Sequence, residues 1–315
     1  MKALLFIETD GEKALGGSLE LISAVKVLEA EGTALVVGNK GASDTVAALG
    51  IPVIFTDTAT DCDTLTEVLS EIVKEQSPDI VLLANTTLAK DIAPRIAGRM
   101  NFGCVSDVIG IDKTDDKVIY TRPAYGGTIL EHIEVDGAAV VTVRNGSFSK
   151  PEAASNAGVT EKNIKIPTGA VKAKIIDTVK EISESVNLEE AEVIISGGRG
   201  MGNAENFKLV EELARVLGGV VGATRPAIED GWISRTHQVG QSGKIVAPKL
   251  YIACGISGAT QHTSGMSGSN YIVAINKDED APIFEIANVG IVGNVTEVLP
   301  VMIEEMKKIS NLLKN

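Results

Sequence analysis

Apolar residues recur at two spacings along the first half of the chain. The run from Ala3 to Glu8 reads as a first strand, and Leu21, Ala24, Val25 and Leu28 then fall on one helical face that Gly32 closes. Ala34 to Val37 and Val53 to Phe55 predict two further strands. Leu65, Val68, Leu69, Ile72 and Val73 form a second i, i+3, i+4, i+7 stripe, with Thr64 and Glu67 spaced as a capping box. Ile80 to Ala84 is a fourth strand. Strand and helix alternating in this way call for a mostly parallel sheet with right-handed crossovers.

From Asp107 onward the rhythm changes to short strand runs without helices between them: Val108 to Ile111, Val118 to Thr121, Ile129 to Val135 and Ala139 to Val143. Turn signals at Asp115-Asp116 and Asp136-Gly137 predict an antiparallel extension of the same domain. Residues 144 to 170 are richer in Gly, Ser, Asn and Pro, and the charged segment from Lys172 to Glu190 leads into a second unit. The predicted domains are residues 1–188 and 189–315. The second restarts with a strand, Glu192 to Ile195, opening into Ser196-Gly197-Gly198-Arg199-Gly200-Met201-Gly202. A helical stripe follows at Phe207, Val210, Leu213, Ala214 and Leu217, and further strands fall at Val220-Val221, Leu250 to Ala253 and Tyr271 to Ile275. The expected fold class is α/β with two domains, the first a mostly parallel sheet with its antiparallel extension and the second a parallel sheet.

Composition agrees with that class, because 44% apolar residues with 32 glycines and only 3% aromatics suit aliphatic layered packing better than an aromatic-cored sandwich. Lys plus Arg number 29 against 42 for Asp plus Glu, a net charge of −13, which argues against a nucleic-acid surface. No apolar run reaches the roughly 18 residues a membrane span needs, and the N-terminal run suits a strand better than a signal peptide. Cys62, Cys104 and Cys254 are far apart, so neither a disulfide framework nor a zinc cluster is expected, and the compartment reads as cytoplasm.

Glycines after a strand let backbone N–H groups approach an anion, and the loop at 196–202 has that character. It is not a dinucleotide fingerprint, because Asn203 stands where the third glycine belongs. Val239-Gly240-Gln241-Ser242-Gly243-Lys244 resembles a P-loop only at its end, since Ile245 replaces the magnesium-binding hydroxyl. Gly255-Ile256-Ser257-Gly258-Ala259 misses the nucleophile elbow at its last position. What 257–262 does offer is a dense set of small donors after a strand. Taken singly, a glycine loop reads as a tight turn, Ser257 as a helix cap and His262 as a satisfied structural histidine. Together with Arg199 and Arg225, each in a strand-end loop of one sheet, they read as a convergent anion-binding site.

The run PKLYIACGISGATQHTSGM at 248–266, followed by IVAINKDEDAPIFEIANVGIVGN at 272–294, resembles the signature of electron transfer flavoprotein alpha subunits. SGGRG, GATRPAIEDGW and QVGQSGK match other motifs of that family in order. The likeness is close across the second domain and holds in outline across the first. It implies an electron carrier that binds FAD, works as a heterodimer with a beta subunit and exchanges electrons with flavoenzymes such as acyl-CoA dehydrogenases. It further implies cofactor contacts from Arg199, Thr224, Arg225, Val239, Gly240, Gln241, Ser242, Ser257, Gly258, Ala259, Thr260, Gln261, His262 and Asn276. Reduction adds negative charge near flavin N1 and the C2 carbonyl, which Arg225 against the ring and His262 near that carbonyl would stabilise. Ser242 would bond N5, and the 257–261 donors would take ribityl and pyrophosphate oxygens. Asn294 stands where many members carry an aspartate for the adenosine end.

Thr224-Arg225-Pro226 and Gly231-Trp232 resemble the branch common in anaerobes and nitrogen fixers, some members of which bifurcate electrons from NADH and also reduce ferredoxin. A complex of that kind would carry a second FAD in the small subunit. Two readings of other classes stay open on the residues alone: a stand-alone regulator binding adenine nucleotides in the first domain, and an NAD-dependent dehydrogenase, the latter disfavoured by the failed glycine fingerprint.

Overall fold

The computed structural model describes residues 1–11, 13–114, 117–173, 176 and 187–313. The chain forms two compact units, Met1–Ala124 with Ile129–Lys180, and Tyr125–Thr128 with Glu181–Asn315. The first holds β1 (Lys2–Ile7), α1 (Gly16–Val27), β2 (Glu31–Val37), α2 (Lys40–Ala47), β3 (Val53–Thr56), α3 (Cys62–Gln76), β4 (Ile80–Ala84), α4 (Thr87–Met100) and β5 (Gly103–Val108). Then come β6 (Gly110–Lys113), β7 (Val118–Ala124), β8 (Ile129–Glu134), β9 (Ala139–Val143) and β10 (Val159–Glu161). Seven of these strands form one sheet in the order β10-β3-β2-β1-β4-β9-β5, and every pairing in it is parallel. Side chains alternate across β1: Ala3, Leu5 and Ile7 pack with Leu21, Val25 and Val46 of α1 and α2, whereas Leu4 and Phe6 pack with Leu65, Val68, Ile92 and Ile96 of α3 and α4. Helices therefore cover both faces.

Several expectations change here. Ala139 to Val143 is not antiparallel; as β9 it lies parallel between β4 and β5, and its uninterrupted burial is what a sheet covered on both faces produces. The antiparallel extension is a separate sheet, β6-β7-β8. The predicted strand from Val108 to Ile111 is broken, because Asp107 takes a left-handed φ of 64° and β5 ends one residue later. Arg144 holds that carboxylate from two sides, Nε to Oδ1 at 2.9 Å and Nη2 to Oδ2 at 2.6 Å. The helix α3 is capped by Asp61, whose Oδ1 accepts from Thr64 N at 2.9 Å, rather than by Thr64. Gly32 does not close α1; Leu28 does, and Gly32 lies within β2. The Asp115-Asp116 turn and most of the charged segment before residue 187 lie outside the described residues.

The second unit runs β11 (Val193–Gly197), α5 (Ala204–Leu217), β12 (Val220–Ala223), α6 (Arg225–Glu229), β13 (Leu250–Cys254), α7 (Thr260–Thr263), β14 (Ile272–Asn276), α8 (Ile283–Ile286), β15 (Val289–Val292) and α9 (Val295–Leu313). Asn203 caps α5 by accepting from Asn206 N at 2.8 Å, and Gly218 ends it in the left-handed region. The predicted stripe of Phe207, Val210, Leu213 and Ala214 is buried, and it shares one core with Val295, Leu299 and Ile303 of α9. The sheet is parallel throughout, in the order β12-β11-β13-β14-β15. Neither β15 nor α9 was among the predicted elements, although Val295, Val298, Leu299, Met302 and Ile303 carry the helical spacing.

Candidate functional site

That strand order has one consequence for binding. Connections leave β11 and β13 toward opposite sides, so the loops beyond their carboxyl ends part and open a crevice. A cavity of about 680 Å³ occupies this position. It is within the size range of cofactor pockets, roughly 300–1,000 Å³.

Five segments build its wall. Gly198, Arg199 and Gly200 follow β11, and their backbone runs on along the next loop, with Gly198 N donating to Cys254 O and Gly200 N to Gly255 O, each at 2.9 Å. Thr224 and Arg225 follow β12 at the start of α6. The QVGQSGK segment folds into a tight turn, Lys244 N donating to Gln238 O at 2.7 Å, and it is tied to α7 by Gln241 N donating to Gln261 O at 2.7 Å. Gly240, at φ 139°, sits where a Cβ would meet the Gln261 carbonyl oxygen at 2.7 Å, so the approach requires glycine. A turn of this kind is not a P-loop. Beyond β13, Ile256, Ser257, Ala259, Gln261 and His262 complete the wall. Asn276 at the end of β14 braces it by donating from Nδ2 to Ile256 O at 2.9 Å.

The polar groups divide by environment. Arg199 and Arg225 are exposed at the rim, and Arg225 Nε is paired with Glu229 Oε1 one turn along at 2.7 Å. Thr224 is buried, yet its Oγ1 has no hydrogen-bond partner in the protein, which is costly unless a ligand supplies one. His262 is also buried. Its Nδ1 lies 3.0 Å from the Val239 carbonyl and its Nε2 3.0 Å from the Tyr251 hydroxyl, and desolvation lowers its pKa to about 4. Burial therefore favours the neutral imidazole at pH 7, and the positive charge at the rim is that of the arginines.

The predicted site residues mostly converge. Gly258, Thr260 and Asn294 do not line the cavity. Gly258 shapes the loop behind it, at φ 91° against the backbone of Ile283, and Thr260 opens α7. Asn294 stands at the start of α9, its Oδ1 accepting from Thr296 N at 3.2 Å and Thr296 Oγ1 at 3.0 Å. Sequence reasoning missed Gln238, which is buried and donates from Nε2 to Ser242 Oγ at 2.9 Å, and the rim pair Lys277 and Asp278. The charged run directly after β14 was the available signal for the pair; for Gln238 it was its place at the head of the QVGQSGK motif. Among the described residues no group of His, Cys, Asp and Glu could hold a metal ion, and no helix is long and apolar enough to cross a membrane.

A doubly wound parallel domain with a cavity at its switch point, glycine-lined walls, an orphan buried hydroxyl and two rim arginines defines a cofactor-binding α/β protein. The family models carry this further. That of the electron transfer flavoprotein domain matches residues 3–167, and that of the electron transfer flavoprotein FAD-binding domain matches residues 187–267. Among similar proteins, the electron transfer flavoprotein subunit alpha of Thermoanaerobacterium thermosaccharolyticum is 46% identical over 76% of this chain and 74% of its own length. Protein FixB of Clostridium saccharobutylicum is 42% identical over 78% and 75%, and the subunit alpha of Mycobacterium leprae is 37% identical over 97% and 98%. The chain belongs to the electron transfer flavoprotein alpha-subunit family, and its cofactor is FAD. The site suits that group: Thr224 Oγ1 lacks a partner, Arg199 and Arg225 stand at the rim, and a Cβ at Gly240 would not fit the wall.

Proposed function

We propose that residues 189–315 hold FAD in the switch-point cavity, while residues 1–188 provide the interface to a beta subunit. The chain then works as one half of a heterodimer that passes electrons from an acyl-CoA dehydrogenase-type flavoenzyme to another redox protein. The orphaned hydroxyl of Thr224 inside a cavity of cofactor size carries this reading. Bound FAD supplies one- and two-electron chemistry. The 257–261 loop would receive phosphate and ribityl oxygens, while Arg199 and Arg225 supply positive charge where it reduces the cost of negative charge on the cofactor. Ser242 keeps its own O–H free to donate, because its oxygen already accepts from Gln238. Three unpaired thiols, Cys62, Cys104 and Cys254, support a reducing cytoplasm as its compartment.

Co-expression with the small subunit, followed by an absorption spectrum, a flavin count and mixing with acyl-CoA-reduced dehydrogenase, tests the proposal. One flavin per heterodimer that reddens or bleaches on mixing supports it. A colourless protein would overturn it, and two flavins reducible by NADH would move the complex to the ferredoxin-coupled, bifurcating class.

A further inference from the structure

A buried polar pair in the second unit joins the cavity wall to the sheet behind it, His262 lining the cavity and Tyr251 lying beneath. Tyr251, the second residue of β13, has no exposed surface, and its hydroxyl sits 3.0 Å from His262 Nε2. The rings are tilted at 57° with centroids 6.2 Å apart, so the contact is a hydrogen bond and not a stack. On the other side of the imidazole, Nδ1 is 3.0 Å from the carbonyl of Val239.

A carbonyl can only accept, so Nδ1 must carry the proton. In a neutral ring Nε2 is then an acceptor, and the Tyr251 O–H must be the donor. One buried phenol and one backbone carbonyl thus determine which nitrogen is protonated, and both ring nitrogens are committed within the protein. We propose that Tyr251 is a positioning residue that holds His262 in the single neutral Nδ1–H tautomer, so that His262 meets the flavin site as an uncharged wall and Arg199 and Arg225 supply its positive charge. This rests on the cavity being the FAD site.

Protonating His262 would make Nε2 a donor and oblige the Tyr251 hydroxyl to turn its own proton elsewhere, inside a region where burial already holds the phenol well above its usual pKa. Burial and the Val239 carbonyl act on the imidazole, Tyr251 is the titratable side chain bonded to it, and Ser196 of β11 and Cys254 of β13 face the phenol in turn. Removing the hydroxyl leaves Nε2 without its donor, so the ring takes up a proton more readily and loses its fixed tautomer.

The chain has three histidines, which makes imidazole ¹⁵N spectroscopy of the labelled alpha chain in its heterodimer tractable. The His262 signals are assigned by their loss in His262→Asn, with and without flavin. At pH 7 the wild type is expected to show a protonated Nδ1 and an unprotonated Nε2, and to keep them from pH 5.5 to 8. Tyr251→Phe, which deletes only the hydroxyl, should raise the titration midpoint of His262 by a unit or more and average its two nitrogens. In the flavin-loaded heterodimer it should add a pH-dependent break to the flavin potential that the wild type lacks. A doubly protonated or Nε2–H ring in the wild type would overturn the proposal, and so would a Tyr251→Phe protein whose ¹⁵N signals and midpoint match the wild type. Flavin content, measured on the same samples, separates this outcome from failure of the FAD assignment. The wild-type spectrum alone decides the tautomer should the variant fail to fold.

Discussion

Gly258 and Ile283 pack backbone to backbone: the Ile283 amide donates to the Ser257 carbonyl at 3.1 Å, and a Cβ at position 258 would stand against that amide nitrogen. The contact pins the loop after β13 to the start of α8. It also explains a residue that belongs to the site without touching the cavity. Gly258→Ala has to move either the loop or α8, and at φ 91° it adds backbone strain of about 1 kcal/mol or more. The expected outcome is a folded protein that loses most of its flavin on gel filtration. Retention at the wild-type level would show that the loop shifts without cost to the site.

Thr224 separates stability from binding. Its orphaned Oγ1 burdens the flavin-free protein, so Thr224→Val, of nearly the same shape, should stabilise that form by about 1 kcal/mol. The same change should weaken flavin binding roughly tenfold if the hydroxyl bonds the cofactor. Denaturant melts of stripped protein and a flavin titration measure the two effects. Effects of the same sign would contradict the role given to this hydroxyl.

Much of this architecture was readable before the structure. The stripes of α3 and α5 were legible because each packs one apolar face on a sheet and leaves the other to solvent. The α3 cap, however, was read at Thr64, and the structure places it at Asp61. Asp61 won because its carboxylate reaches Thr64 N, while Glu67, needed for the alternative box, pairs instead with Arg99 Nη2 at 2.7 Å. The run at β9 was recognisable as a strand, but an apolar run carries no sign of the direction of its neighbours. At the site, glycines and arginines beside strand ends announced the loops. Gln238 stood at the head of the QVGQSGK motif, but its role was not legible, since that depends on burial and on a turn that brings Ser242 back to it. The Asp61 cap is testable: Asp61→Ala should cost the first unit about 1 kcal/mol, whereas Glu67→Ala should cost less than half of that.

Two buried groups give the two units opposite pH responses. His262 has its pKa lowered from 6.5 to about 4, so unfolding takes up a proton between those values, and stability is lost as pH falls through that window. Glu20 of α1 is raised from 4.5 to about 7, chiefly by burial, although its Oε2 accepts from Gly146 N at 2.8 Å. The folded state holds that proton more tightly, so this contribution diminishes as pH rises from about 4.5 to 7. Hydrogen exchange on peptides from β1 and β4 should therefore show less protection at pH 7.5 than at pH 5.5, after correction for intrinsic exchange, and Glu20→Gln should flatten the difference. Peptides from β11 and β13 should trend the other way, and a common direction in both units would contradict the assignment.

The rim pair Arg225 and Glu229 offers the sharpest test of where the site's charge comes from. Both side chains are well exposed, 66% and 59%, and an i, i+4 pair of this kind contributes about 0.3–0.5 kcal/mol to a helix. Arg225→Ala should therefore leave the melting midpoint nearly unchanged while lowering the flavin potential or the retention of flavin, because a cation at this rim favours added negative charge. Glu229→Gln removes the competing carboxylate and frees the guanidinium. It should shift the potential in the opposite direction, and the shift should vanish in the double variant. Equal effects of Glu229→Gln with and without Arg225 would mean that the carboxylate acts on the cofactor directly and that the arginine is an ornament of α6.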